Sequence, residues 1–193
     1  MKKGIGVVLS FVLVYLVACN TNDQNKTSEK GLKGISLKED FGGCDSLLGV
    51  HVEANLWLLK DTIESAKLIN ASIQRKIIEN VLSDSGDSIE ESALIKDLKS
   101  AYELFKGNYV NFKNDFPEAS GCWEISQTGD TLMSTKKYLV YSIDHYAFTG
   151  GAHPNSFRSN YIFDLANGKE IDQSRFIKDT TALLDLVEKK FKK

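Results

Sequence analysis

Hydrophobic positions change period twice along this chain. Residues 5–17 form an almost unbroken apolar run behind Lys2 and Lys3. From residue 61 to 82, Ile63, Ala66, Ile69, Ile73, Ile77 and Val81 recur every three or four positions, which predicts an amphipathic helix. Asp61 with Glu64 supplies its capping start, and Ser83, Asp84, Ser85 and Gly86 its stop. A second stripe runs through Ile89, Ala93, Leu94, Leu98, Ala101, Phe105, Tyr109 and Phe112. Ser88 and Glu91 form a capping box at its start, and Pro117 closes it. Acidic residues crowd its first third and lysines the remainder, which suits the helix dipole.

After Gly121 the period becomes two. Residues 122–127 predict a short strand, Thr128, Gly129 and Asp130 a turn, and Leu132 and Met133 the start of another strand. Residues 137–149 place Tyr138, Val140, Tyr146 and Phe148 on one face, and Leu139, Tyr141, Ile143 and Ala147 on the other. With both faces partly apolar, this strand belongs in the centre of a sheet, covered by helices on at least one side. Phe157, Tyr161, Phe163 and Leu165 alternate in the next strand, Asn167-Gly168 signals a hairpin, and residues 170–177 begin the return. Leu183, Leu184, Val187 and Phe191 mark a third helix opening near Thr180 or Thr181. The expected fold is α+β, with two amphipathic helices packed on an antiparallel β-meander and a third helix at the C-terminus. A sheet-covering helix usually leads to another strand, yet here the sequence stops at Lys193.

The N-terminal run is shorter than the roughly 20 residues a membrane span requires. With its two lysines and the sequence Leu16, Val17, Ala18, Cys19, it looks like a lipoprotein signal peptide of residues 1–18 ending in a bacterial lipobox. Cys19 is then the acylated residue, and the membrane, reached through that lipid, is the first expected partner. The alternative is an uncleaved anchor helix; either way the remainder faces the periplasm or cell exterior. Cleavage removes two lysines and no acid, taking the formal charge from −2 to −4. That balance gives no basic footprint for nucleic acid. The 42% hydrophobic and 26% charged content of the 193 residues is that of a globular protein. Residues 19–40 begin with a polar stretch rich in Asn, Thr, Lys and Ser, and are read as a flexible tether. Cys44 and Cys122 are the other two cysteines. In an oxidising compartment such a pair suggests a disulfide, with two separate buried thiols as the alternative.

The segment Tyr146-Ala147-Phe148-Thr149-Gly150-Gly151-Ala152-His153-Pro154, with Phe163-Asp164-Leu165 and Asn167-Gly168-Lys169 behind it, resembles a domain pair of bacterial envelopes. That pair forms the extracytoplasmic part of RsiV-type anti-sigma factors and precedes the catalytic domain of PdaC-type peptidoglycan deacetylases. Ile69-Asn70-Ala71-Ser72-Ile73 looks like the first helix of its upstream half. The resemblance implies a PdaC-like region over residues 41–135 and an RsiV-like region over residues 136–193, the latter incomplete. It implies an α+β sensing or binding module of unknown function that contacts an envelope protein or peptidoglycan. Only three residues precede the apolar segment, which leaves no room to hold a sigma factor, and no deacetylase metal set follows. An unpaired strand edge at the missing end would open a route to dimerisation or partner strand addition.

The compact candidate site is the loop Gly150, Gly151, Ala152, His153 and Pro154, flanked by Tyr146 and Phe148. The glycines let another backbone approach, and Pro154 biases His153 toward an extended conformation, presenting an imidazole to a ligand or partner. A peptidoglycan- or carbohydrate-active hydrolase or deacetylase centred on His153 is the competing reading. Ser142, Asp144, His145 and Ser156 supply residue types for such chemistry, but no spacing selects them as a catalytic set. His51, His145 and His153 form no helical metal pair, so neither metal nor cofactor is expected.

Overall fold

The computed structural model describes residues 34–192, except 46–47, 86–94 and 120. The signal segment, Cys19, most of the tether and the Ser88–Glu91 capping box lie outside the described residues. The chain order is β1 (Gly34–Asp45), β2 (Leu48–Leu59), α1 (Glu64–Ser85), α2 (Leu98–Asp115), β3 (Trp123–Ser134), β4 (Tyr138–Phe148), β5 (Asn155–Asp164), β6 (Glu170–Ile171), a short 3-10 turn (Gln173–Arg175) and α3 (Thr180–Phe191). The strands form one sheet in the order β1-β2-β3-β4-β5-β6. All neighbours are antiparallel except β2 and β3, which run parallel because α1 and α2 form the crossover between them. The fold is α+β, as the periodicities predict.

Two strands precede the helices, where a helices-first meander was expected. β1 takes in residues 34–40, which the tether was expected to contain. In β2 the buried positions Val50, Val52, Ala54, Leu56 and Leu58 alternate strictly, so a period-two signal is present in the chain. β1 is harder to read because it is an edge strand with few apolar side chains and two adjacent glycines.

Thr128, Gly129 and Asp130 do not turn. They lie mid-strand in β3, opposite Asp144, Ile143 and Ser142 of β4. Gly129 is required for packing: a Cβ there would sit 2.3 Å from the hydroxyl of buried Tyr141. The turn comes later, where Thr135 Oγ1 accepts from the amides of Lys137 and Tyr138. β3 and β4 are thus paired neighbours on either side of the expected 135/136 boundary. The return after Asn167-Gly168 is also shorter than expected, since β6 holds two residues before the 3-10 turn.

Both long helices lie on one face of the sheet. Ile69, Ile73, Ile77 and Val81 of α1 and Ala101 and Phe105 of α2 are at most 1% exposed, packed with the inward residues of β2, β3 and β4. Each fully buried Ile or Phe contributes about 1.5–3 kcal/mol of hydrophobic stabilisation. Polar stitches fix helix register. Asn70 accepts from the Leu59 amide and donates to its carbonyl, while buried Gln127 donates to the Ile77 carbonyl and accepts from Asn80. The structure joins Cys44 to Cys122, with Cα atoms 5.5 Å apart, tying edge strand β1 to the start of β3. The α3 helix starts at Thr180, capped by Asp179, but no residue in it is buried. Its apolar residues Leu183, Leu184, Leu186, Val187 and Phe191 are all exposed.

Candidate functional site

Because α1 and α2 occupy one face, the alternate side chains of β1 to β5 present an open face, organised in cross-strand rows. One row reads Gly42, His51, Glu124, Phe148; the next Asp40, Glu53, Ser126, Tyr146, Ser156; the third Lys38, Asn55, Thr128, Asp144, Arg158. The sites singled out in the sequence therefore meet residues that local spacing could not connect to them.

Tyr146 and Phe148 emerge together on this open face, Tyr146 at 36% exposure. The loop from Gly150 to Pro154 joins β4 to β5 just beyond them and is exposed. Gly150 adopts φ +82°, and a Cβ there would press to 3.2 Å from Trp123 Nε1. That indole sits among Phe105, Tyr109 and Phe112, with ring centroids 5.3–5.6 Å away. The loop thus caps the end of the core, and His153 makes no hydrogen bond, ion pair or ring contact with any described residue. Of the remaining aromatic cluster, Tyr141 and Phe163 are core, and Phe157 lies on the helix-covered face. Burial raises the Tyr141 phenol well above its usual range, so it stays protonated.

Asp144 and His145 point to opposite faces, as strand alternation requires. Asp144 accepts a bidentate pair from Arg158, at 2.6 and 2.8 Å, and this hydrogen bonding holds its carboxyl below the ordinary range. His145 is buried, stacked on Phe157, with Nε2 2.7 Å from Asp84 at the end of α1. With no exposure of the imidazole, this pair reads as a structural link between helix and sheet.

On β1 and β2 the open face gathers groups that sequence reasoning missed. His51 Nε2 lies 3.0 Å from Asp40 Oδ1, and its Nδ1 lies 3.8 Å from Glu124 Oε1. Lys38 Nζ bridges Asp40 and Glu53 at 3.4 and 3.6 Å. Asn55 donates to Glu53. Hydrogen bonding from His51 holds the Asp40 carboxyl below its usual range. Only the hairpin register, which sets Asp40 opposite Glu53 and glycine opposite His51, brings these residues together. The signal available in the sequence was the alternation of β2, which puts His51, Glu53 and Asn55 on its polar face.

Residues 61–156 match the family model described as Deacetylase PdaC, a span from just before α1 to the first residues of β5. No curated protein matches the chain. Among solved structures, a DUF3298 family member from Bacteroides fragilis is similar at 16% identity and TM-score 0.53, over 75% of this chain and 60% of that one. A DUF3298 family protein from Pseudomonas aeruginosa is similar at 15% identity and TM-score 0.47, over 75% of this chain and 56% of that one. The chain thus spans about 60% of the length of the Bacteroides fragilis structure, whose likeness is one of fold. The match runs through both long helices and the β3–β4 hairpin, so residues 61–156 are similar to a PdaC-type domain of unknown function.

Proposed function

We propose that this protein is a lipid-anchored binding or sensing module of the bacterial cell envelope, which works by contact rather than catalysis. Its partner is an envelope protein or a cell-wall glycan. The observation that carries the reading is the open sheet face, where Tyr146 and Phe148 share cross-strand rows with Asp40, Glu53 and Glu124 and stand next to the exposed Gly150–Gly151–Ala152–His153–Pro154 loop. Aromatic side chains with an adjacent polar rim suit sugar rings and protein hot spots alike. Cys19 supplies the anchor, placing the domain at the periplasmic or outer surface. Strand addition is a further route of contact, because β6 pairs only with Ile162 and Phe163 of β5 and leaves the edge from Asn155 onward free of strand partners among the described residues.

The test is retention of wild-type mature protein on purified peptidoglycan and on envelope extract, compared with Tyr146→Ala and His153→Ala. Retention that survives moderate salt and falls with Tyr146→Ala is expected. Equal retention of all three proteins, or none at all, counts against the reading. Turnover of peptidoglycan that His153→Ala abolishes would establish the hydrolase or deacetylase alternative instead. Cys19→Ala is expected to move the protein from the membrane to the soluble fraction.

A further inference from the structure

We propose that Asp40, His51 and Glu53 form a binding site for a divalent transition metal of the zinc class on the open face of the β1–β2 hairpin. This stands independently of the partner-binding reading. One ligand atom from each residue lies within 4.8 Å of the other two. Of these atoms, His51 Nε2 and Asp40 Oδ1 are 3.0 Å apart. Tetrahedral zinc with bonds near 2.0–2.1 Å separates its ligands by about 3.3 Å, so small rotamer adjustments close the set.

Three further features fit a metal. Gly42 stands opposite His51, so no side chain blocks the imidazole from leaning toward Asp40 in the neighbouring row. Behind the ring, Nδ1 faces Glu124 at 3.8 Å. A carboxylate on the far nitrogen is the outer-shell arrangement that orients a ligating histidine and frees Nε2 to bind. Finally, Lys38 places one ammonium between the two carboxylates, 3.4 Å from Asp40 and 3.6 Å from Glu53. That is the position a dication would neutralise more fully. The lysine side chain is 58% exposed, so it is free to swing into water as the metal enters.

The ligand types set the class. One imidazole nitrogen with two carboxylates suits zinc and its transition-metal neighbours better than magnesium or calcium, which favour all-oxygen shells. Three protein ligands leave a fourth position for water or for a donor on a partner. Bound metal would also clip edge strand β1 to β2 across the face.

The experiment is calorimetric titration of metal-stripped mature protein with zinc chloride, repeated on variants. Binding of one zinc per chain at micromolar concentrations is expected, abolished by His51→Ala and by Glu53→Gln. Glu124→Gln is expected to weaken it about 10-fold, as loss of an outer-shell carboxylate does. Lys38→Met should tighten it, a gain that no unfolded or merely damaged variant can mimic. His153→Ala, which alters the exposed loop, should leave it unchanged. Imidazole nitrogen shifts of His51 on zinc addition provide a second readout. Absence of one-to-one binding, survival of binding in His51→Ala, or weaker binding in Lys38→Met would each overturn the proposal.

Discussion

Removing the Cys44–Cys122 link by a double substitution to alanine should destabilise the domain by about 4 kcal/mol. The bond spans a separation of 78 residues, and a loop of that size loses closure entropy in the unfolded chain equivalent to about 4 kcal/mol at room temperature. Cys44 is exposed on the edge strand and Cys122 is half-buried outside the hydrophobic core, so the substitution opens no core cavity and the loss falls mainly on the unfolded ensemble. With a urea slope of about 2 kcal/mol per molar for a domain of this size, the unfolding midpoint should drop by about 2 M. The assay is urea denaturation followed by tryptophan fluorescence, since Trp123 is adjacent to Cys122 and buried. Wild-type protein unfolded in reductant should match the double variant, because both lose the same constraint. A midpoint shift under about 0.5 M would refute the entropic reasoning. Disagreement between the reduced and substituted proteins would show that the substitution itself acts on the native state.

Gln127→Leu keeps side-chain volume but leaves the Asn80 amide without its acceptor; a loss of about 1–3 kcal/mol is expected in the same assay. Gly168→Ala should destabilise by at least about 1 kcal/mol, because φ is +71° and the new Cβ would lie 2.7 Å from the Ser65 carbonyl; an unchanged midpoint would contradict that close approach. Asp144 has a folded-state pKa held down by Arg158, so its contribution is present above the ordinary carboxylate pKa and lost as pH falls through the depressed value. Stability measured from pH 5 downward should therefore decline less steeply in Asp144→Asn than in wild type, and parallel curves would dismiss the pair's role. Deleting residues 180–193 should leave the melting temperature unchanged within about 1 °C, because no residue of α3 is buried; a clear drop would mean the helix packs somewhere.

The helical stripes from Ala66 to Val81 and from Leu98 to Phe112, the alternation of β4 and β5, and the Asn167-Gly168 hairpin were legible locally, whereas Ile63, expected to open the first stripe, precedes α1 and is exposed. Each depends on contacts between near neighbours in the chain, which periodicity records. The same holds for the start of α3 near Thr180; the structure adds the cap, Asp179, which accepts from the Ala182 amide within one turn. Where local signals conflicted with packing, packing won. Thr128-Gly129-Asp130 has turn chemistry, yet Gly129 sits mid-strand because the Tyr141 ring fills the space a side chain would need.

What the amino-acid sequence determined by itself is therefore the α+β class and the amphipathic faces of its helices and central strands. The tertiary structure decided the rest: the hairpin ahead of the helices, the parallel β2–β3 pair, and which loop and strand residues share the open face. Asp40 and His51 are eleven positions apart, and Glu124 is far beyond both, so nothing in their spacing brings them together. Their proximity comes from cross-strand register, a property of long-range pairing whose energy resides in the buried alternation on the opposite side of the same strands.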